Sequence, residues 1–437
     1  MKALLDVIAS HRAGNAVGIP SVCSAHPVVL DAALIHARDG GHPVLIEATS
    51  NQVNQYGGYT GMRPADFHAH VMDKADRAGL PRDRVLLGGD HLGPNCWQHE
   101  PADAAMARAD VLIDEYVAAG FRKIHLDCSM SCAGDPPILP DAAVAERAAR
   151  LCAIAERAWQ RCGGEAPVYI VGTEVPVPGG TGEEAAELQV TRPEAMAATV
   201  EAHRAAFLRN DLSGAWRRVI GLVVQPGVEF GHHDVIDFRP GKARALSAAI
   251  ESFPNLVYEA HSTDYQTAES LSALVRGHFA ILKVGPGLTF ALRETLWALS
   301  FIEDELLGPA ASSGLRGRAL DVMRASPKHW NKYYTDASRL THDLQYSLSD
   351  RIRYYWADPA VQDACGALMR NLGGAAPGGA IPLALLSQHL PHQYADIRAG
   401  RLANSAPDIL RAGVTGVLRR YARACGQAQR GTDVGPE

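Results

Sequence analysis

The run Val85-Leu86-Leu87-Gly88-Gly89-Asp90-His91-Leu92-Gly93-Pro94 decides the fold. A short apolar segment leads into two glycines, an acid and an imidazole, which is typical of a buried parallel strand that ends in polar groups. In β/α proteins, catalytic side chains gather where such strands end. Taken alone, the Asp90-His91 pair is more simply a turn with a capping acid and a surface histidine. The rest of the chain decides between these interpretations.

The composition describes a large globular protein. The chain has 437 residues, 47% of them apolar, and a formal net charge of −6. This charge gives no electrostatic reason to expect nucleic acid or an anionic membrane as a partner. No apolar run approaches the ~20 residues that a bilayer-spanning helix needs, and the N-terminus lacks a signal-peptide core. Eight scattered cysteines suit reduced thiols, so we expect a cytoplasmic protein.

Strand-sized apolar runs alternate with helical segments along the first two thirds of the chain. The predicted strands are 18–25, 43–49, 85–94, 122–127, 168–174, 219–225, 256–262 and 279–285. Eight such units favour a closed (β/α)8 TIM barrel over an open doubly wound sheet, which normally has fewer strands. We therefore expect an α/β fold in which residues 1–307 form the barrel. Residues 308–437 are expected to form a helical extension that packs on the barrel and ends in a disordered tail.

Acids and imidazoles recur where the predicted strands end. These polar residues are Glu47, Asp90, His91, Asp127, Glu174, Gln225, Glu229, His232, Glu259 and His261. Barrel interiors are normally filled with Val, Ile and Leu, and ionisable groups left there unpaired would be costly. A divalent metal relieves that cost, and two or three imidazoles with a carboxylate suit zinc or a similar ion. The alternative is a set of solvated loop acids with one or two helix caps. His125 and His233 are not expected to be ligands.

Other residues are candidates for binding a substrate. Lys283 on strand eight is expected to be structural or a phosphate partner rather than an imine-forming nucleophile. Gly285 and Gly287 follow strand eight, where many barrels hold phosphate on backbone N–H groups. Arg351 and Arg353 either clamp a phosphate or fasten the extension to the barrel. The assigned substrate-binding residues are Glu47, Asp127, Gln225, Glu259, Lys283, Gly285, Gly287, Arg351 and Arg353. The sequence has no phosphate-binding loop of the P-loop type, so an ATP-dependent kinase is not expected.

With these residues in view, the chain resembles the Z-type subunit of class II tagatose-1,6-bisphosphate aldolase, the GatZ/KbaZ family. The runs that carry the resemblance are Gly88-Gly89-Asp90-His91-Leu92-Gly93-Pro94, His125-Leu126-Asp127-Cys128-Ser129, Gly172-Thr173-Glu174-Val175-Pro176 and Tyr346-Ser347-Leu348-Ser349-Asp350-Arg351-Ile352-Arg353-Tyr354-Tyr355-Trp356. The resemblance covers nearly the whole chain. It implies a TIM barrel that supports the activity and stability of a separate catalytic Y-type subunit in galactitol, N-acetylgalactosamine or tagatose breakdown.

The resemblance also implies roles for individual residues, because the Z-type chain is similar in outline to the metal-dependent class II aldolases. In those enzymes an Asp-His pair follows a strand, the Asp moving a proton and the His binding zinc, and Asp90 and His91 match that pair. Their last zinc histidine corresponds to His261. Their middle ligand, a histidine after strand six, corresponds to Glu229 or, with a shift, to His232.

Two functions follow from these assignments. In the first, the chain is a partner that stabilises an aldolase, with a sugar or sugar phosphate as ligand and a homo-oligomer left open. In the second, the chain is itself a metal-dependent ketose or ketose-phosphate 4-epimerase that works by retro-aldol cleavage and re-addition. Asp90 would then take a hydroxyl proton, and Glu174 would return a proton from the opposite side.

Overall fold

The computed structural model describes residues 1–172, 188–374 and 380–427, and its strands form a closed barrel with a small hairpin beside it. The strands are β1 (Ile19–Val22), β2 (Val44–Thr49), β3 (Val85–Leu92), β4 (Lys123–Leu126), β5 (Val168–Gly172), β6 (Val219–Val223), β7 (Glu229–Phe230), β8 (Val235–Ile236), β9 (Val257–Ala260) and β10 (Phe279–Val284). All except β7 and β8 are parallel members of the barrel, which closes where β1 pairs with β10. The predicted TIM barrel is therefore confirmed.

Helices surround the barrel and continue beyond it. They are α1 (Lys2–Arg12), α2 (Pro27–Gly40), α3 (Pro64–Ala78), α4 (Ala102–Ala118), α5 (Asp141–Cys162), α6 (Pro193–Arg209), α7 (Ser213–Trp216), α8 (Pro240–Ala249), α9 (Ala268–Arg276), α10 (Pro286–Leu307), α11 (Leu315–Ala325), α12 (Leu340–Tyr346), α13 (Pro359–Gly374), α14 (Leu383–His389), α15 (Pro391–Arg398) and α16 (Ala406–Ala424). None of these helices has the length and apolar character that crossing a membrane requires.

Helix α1 closes the N-terminal end of the barrel. Its side chains Leu4 and Ile8, together with Met1 just before the helix, are buried in one cluster with strand residues that include Leu45 and Ile281. Parallel strands all present their carboxyl ends at the opposite rim. Functional side chains in barrels of this kind are carried at that C-terminal rim.

The helices that follow α10 pack on the outside of the barrel. The last of them, α16, lies against α2, α9 and α10. One hydrophobic cluster includes core residues of the barrel helices, such as Leu30 and Leu292, together with Val414 and Leu418 of α16. The hydroxyl of Tyr421 in α16 donates to the carbonyl of Thr263, in the segment after β9, at 2.7 Å. The end of the chain therefore supports the segment that carries His261.

The strand ends differ from the expectation. The sixth and seventh barrel strands end at Val223 and Ala260, short of the predicted Gln225 and Ser262, because the chain turns away from the barrel wall there. The segment after β6 forms the antiparallel hairpin of β7 and β8, which the sequence analysis did not predict. The predicted proton donor Glu174 and the tail after Gln427 lie outside the described residues.

Candidate metal centre

An irregularity at the end of β3 turns Asp90 and His91 toward the same space. The register between β3 and β4 shifts between Gly89 and Leu92, and His91 adopts a φ of 47°. Consecutive strand residues normally face opposite sides. A left-handed residue at this point breaks that alternation, so both side chains line the cavity at the C-terminal rim. Backbone strain of this kind is concentrated at functional sites.

Two glycines of the β3 run make room for acids of the rim. A Cβ atom at Gly88 would lie 2.8 Å from Cγ of Glu47, and one at Gly93 would lie 1.7 Å from the carbonyl oxygen of Asp127. Neither approach is compatible with normal van der Waals contact. These glycines therefore let the Glu47 side chain of β2 and the backbone of Asp127, just after β4, pack closely against the run.

Four buried side chains form a group that could bind a metal ion. One ligand atom from each lies within 4.8 Å of the others, and the members are Asp90, His125, Glu259 and His261. The Nε2 atom of His261 is 3.0 Å from Oε1 of Glu259. Burial lowers the pKa of His261 to about 3, so the imidazole is neutral, as a metal ligand must be. Two imidazoles and two carboxylates suit zinc or a similar divalent ion.

Three contacts fix the orientation of the His125 ring in this group. Its Nδ1 atom accepts the backbone N–H of His91 at 3.3 Å, and its Nε2 atom donates to the carbonyl of Gly172 at 3.1 Å. The Nδ1 atom also lies 3.1 Å from Oδ1 of Asp90. A neutral ring has one donor nitrogen, so this contact places two acceptors side by side. The ammonium of Lys283, 2.7 Å from the same oxygen of Asp90, offsets this repulsion, and Nδ1 of His125 could bind an ion only by giving up the N–H of His91.

Two lysines neutralise part of the acid cluster. Lys123 is fully buried, with its Nζ atom 2.6 Å from Glu47 and 2.6 Å from Glu259. The Nζ atom of Lys283 lies 2.7 Å from Asp90 and 2.8 Å from Glu47. Burial opposes the charged form of Lys283, but these carboxylates hold its pKa well above the usual value. A protonated amine is not a nucleophile, so these ion pairs oppose imine formation at Lys283.

The acids at the rim still outnumber the lysines. The carboxylates of Glu47, Asp90, Glu259 and Asp127 stand against the two ammonium groups, an excess of two negative charges that a divalent cation would balance. His91 meets part of this need. Its burial lowers the pKa, but the charges of Asp90 and Asp127 outweigh that effect and raise the pKa to about 9. With His91 protonated the excess falls to one negative charge, so the cluster still attracts a cation, and its imidazole and carboxylate donors are those that divalent ions bind.

Of the four predicted metal ligands, only His261 is a member of this group. His91 lies beside the group, with its ring centroid 4.8 Å from that of His261, and its Nδ1 atom bonds to Asp127 at 2.8 Å. Glu229 and His232 are not members of the group. Glu229 lies in β7, where its Oε2 atom accepts from Ser262 at 3.4 Å. The His232 ring faces the extension, 3.1 Å from the carbonyl of Tyr333.

The predicted substrate-binding residues surround one cavity of about 1050 Å³ or support its walls. Those that line the cavity are Asp127, Lys283, Gly285, Arg351 and Arg353. Glu47 and Glu259 lie behind them in the lysine network. The Gln225 side chain accepts from the N–H groups of Gly227 and Val228 and so shapes the turn after β6.

The backbone N–H groups expected to hold phosphate already have a partner. Gly285 and Gly287 donate to Oδ1 of Asp264 at 2.9 and 2.7 Å. This internal carboxylate occupies the amides at the start of α10, where a phosphate oxygen would bind in many barrels. A phosphate could use these amides only by displacing Asp264.

Lys123 and Asp264 were not among the residues predicted for the site, and His125 was not expected to be a ligand. The sequence contains a signal for Lys123 and His125, because these two polar residues alternate with Ile124 and Leu126. That period of two places both polar side chains on one face of a strand. Nothing in the sequence indicates that Asp264 bonds to the amides after β10.

A family model and one solved structure match nearly the whole chain. The family model described as D-tagatose-1,6-bisphosphate aldolase subunit GatZ/KbaZ-like matches residues 4–426. A crystal structure from Sinorhizobium meliloti 1021, described as a probable tagatose 6 phosphate kinase, is 51% identical. The match covers 93% of this chain and 100% of that one, with a TM-score of 0.85.

Two aldolase structures resemble the chain only distantly. Fructose-bisphosphate aldolase from Campylobacter jejuni is 14% identical, over 82% of this chain and 93% of that one, with a TM-score of 0.46. The YdjI aldolase from Escherichia coli K12 is 13% identical, over 86% and 97% of the two chains, with a TM-score of 0.40. Similarity this weak does not bear on function.

Proposed function

Because the chain belongs to the GatZ/KbaZ-like family of D-tagatose-1,6-bisphosphate aldolase subunits, we propose that it supports the activity and stability of a catalytic Y-type subunit in the cytoplasm. The observation that carries this proposal is the match of the family model to residues 4–426, which includes the barrel and the helices after it. The pathway would be galactitol, N-acetylgalactosamine or tagatose breakdown, as the resemblance implies.

The lysine network agrees with a supporting role. Asp90 is the residue expected to accept a proton in aldol chemistry, yet its Oδ1 atom is 2.7 Å from the ammonium of Lys283. An ion pair at that oxygen makes the carboxylate a weaker base. The same network joins Glu47 of β2, Lys123 of β4 and Glu259 of β9, so it stabilises the rim across the barrel.

The buried group is proposed to hold a divalent ion, with zinc favoured by two imidazoles. Asp90, His125, Glu259 and His261 would hold it, with His91 beside them, held by Asp127. A bound ion of this kind polarises a carbonyl or hydroxyl oxygen. A sugar or sugar phosphate would lie in the cavity between this group and the mouth, where Arg351 and Arg353 are found.

A 4-epimerase is the second candidate, favoured by one observation. Asp90, His91, His261 and Lys283 all line the same cavity, so a sugar could reach every one of them. In this case Asp90 would take the hydroxyl proton, and Glu174 would return a proton.

A kinase activity has no support in the chain. Gly241-Lys242-Ala243 lacks both the first glycine and the hydroxyl residue of a phosphate-binding loop, and it lies within α8. The kinase description of the Sinorhizobium meliloti protein is therefore not carried over.

The Asp90→Asn variant separates the two candidates. If the chain is a supporting subunit, Asp90→Asn protein that unfolds at the wild-type temperature still raises the activity of the Y-type subunit. If the chain is an epimerase, wild-type protein alone converts ketoses or ketose phosphates with added zinc, and the variant does not. Sugar isomers are followed by chromatography in both samples. A variant that loses stimulation while remaining folded, together with isomer formation by the wild type alone, would contradict the supporting role.

A further inference from the structure

A second cluster of possible metal ligands lies outside the barrel rim. His233 is in the turn between β7 and β8, and His342 and Asp343 are in α12 of the extension. One ligand atom from each of the three lies within 4.8 Å of the other two. We propose that this trio binds a divalent cation of zinc size and thereby fastens the hairpin to the extension.

The spacing of the trio matches such an ion. The Nε2 atom of His233 is 3.0 Å from Oδ1 of Asp343, and the Nδ1 atom of His342 is 3.7 Å from the same oxygen. Two ligands bound tetrahedrally to zinc lie roughly 3.3 Å apart, given zinc–ligand distances of about 2.0–2.1 Å. The two measured distances fall on either side of this value, so small side-chain rotations suffice to bind the ion.

The buried carboxylate of the trio lacks a hydrogen bond at one oxygen within the described part of the chain. The Asp343 side chain is 5% exposed, and its buried Oδ1 atom accepts no hydrogen bond from the described residues. A buried carboxylate oxygen that accepts no hydrogen bond is costly, and here, among the described residues, only the two imidazoles of the trio lie close to it. Its contact with His233 is an ion pair only when that imidazole is protonated. A metal ion would satisfy the oxygen with both imidazoles neutral.

The proposed site is open to solvent on the side of its two imidazoles. The His233 and His342 side chains are 35% and 61% exposed, whereas the carboxylate beneath them is buried. An ion can therefore enter from the outside and complete its coordination with water. Two histidines and one carboxylate are a common ligand set for zinc and for other divalent ions with open positions.

The site would act on the structure of the cavity mouth rather than on chemistry. The backbone N–H of Leu348 donates to the carbonyl of His232 at 2.8 Å, and the His232 ring bonds to Ser349 at 3.2 Å. The chain then continues directly to Arg351 and Arg353, which line the cavity. A metal between His233 and α12 would reinforce this junction. The inference is independent of the partner function, because it concerns only ion binding and local stability.

The test is a metal titration of the full-length chain without a histidine tag. Metal-free wild type, His233→Ala, His342→Ala and His392→Ala are loaded with zinc or cobalt, dialysed and analysed for metal per chain. His392 is an exposed histidine of α15 outside the trio and serves as the matched control. Both trio variants are expected to bind one equivalent less than wild type, whatever the barrel group retains, while His392→Ala binds as wild type does.

Stability and spectra give a second readout. Zinc should raise the unfolding temperature of wild type and His392→Ala more than that of His342→Ala. In both trio variants, the cobalt absorption spectrum should lack the contribution of the ion bound at the trio. Equal metal content in all four proteins, or an equal loss in His392→Ala and the trio variants, would overturn the proposal.

Discussion

At the scale of the residue, metal retention is expected to depend on His125 and His261. Both imidazoles belong to the buried group with Asp90 and Glu259, so His125→Ala and His261→Ala should each weaken zinc binding by at least about 10-fold. His91→Ala should have a smaller effect, because Nδ1 of His91 is bonded to Asp127 and its Nε2 atom is 3.8 Å from Oδ2 of Asp90.

The measurement is elemental analysis after zinc loading, with the variants made in a His342→Ala background so that only the barrel group binds. His99→Ala is the control, since His99 lies on the cavity edge outside the group. Wild-type metal content in both His125→Ala and His261→Ala would show that the strand-end residues are only structural.

Substitution of Gly93 shows whether the close packing around the β3 run requires glycine. A Cβ atom there would meet a backbone oxygen, which cannot move as a flexible side chain can. Gly93→Ala should therefore cost about 2 kcal/mol or more of unfolding free energy. Gly241→Ala is the control, because Gly241 lies in α8 with nothing within 4 Å of the added Cβ. Urea unfolding measures both, and equal midpoints for the two variants would refute the steric argument.

The sequence was informative about some site residues and silent about others. The Asp90-His91 pair and His261 could be selected because each ends an apolar run, and the structure brings them to one cavity. His125 lies inside its strand, and its alternation with apolar residues shows a face but not which face is the interior. The third ligand was expected after strand six, where the unpredicted hairpin of β7 and β8 carries Glu229 and leads to His232; neither is a member of the group.

At the scale of the element, α16 is expected to stabilise the segment after β9. The hydroxyl of Tyr421 bonds to Thr263, whose own hydroxyl donates to the carbonyl of Lys283 at 2.6 Å. Tyr421→Phe leaves a buried carbonyl without its donor and should cost about 1–3 kcal/mol. Tyr394→Phe in α15 is the control, since that hydroxyl accepts from the exposed Arg398.

Chemical unfolding of both tyrosine variants gives the comparison. Zinc affinity should also fall in Tyr421→Phe, because Thr263 is two residues from His261. Unchanged stability and zinc affinity in Tyr421→Phe would mean that α16 does not support the site.

The order of elements could be predicted because their patterns are local. Eight apolar strands alternate with helical segments. Because connections between parallel strands are short and right-handed, this order of elements favours a closed parallel barrel. The ends of β6 and β9 could not be placed, because the turns after them are stabilised by contacts remote in sequence. The N–H of Gln225, for example, donates to the Thr191 side chain.

At the scale of the whole molecule, acid is expected to unfold the metal-free chain. Burial lowers the pKa of His26 and His36 to about 4 and also lowers that of His203. Histidine in the unfolded chain has a pKa near 6.5, so protons bind the unfolded state more readily. The contribution of these neutral imidazoles to the free energy of unfolding is complete above about pH 6.5 and is lost as the pH falls from there toward 4.

Thermal unfolding between pH 4 and pH 8 in the presence of a chelator measures this effect. His203→Met removes one buried imidazole whose Nε2 atom has no hydrogen-bond partner among the described residues, so its unfolding temperature should fall less on acidification. An unfolding temperature that stays constant or rises as the pH is lowered from 6.5 to 4 would contradict the claim that buried neutral imidazoles stabilise the fold.

The most direct test of the account is co-expression of this chain with a Y-type aldolase subunit. The measurement is tagatose-bisphosphate cleavage by the purified Y-type subunit, with and without the chain, together with its unfolding temperature. We expect higher activity and a higher unfolding temperature of the Y-type subunit in the mixture, and little cleavage by this chain alone. Unchanged activity and stability of the Y-type subunit in the presence of a folded chain would contradict it.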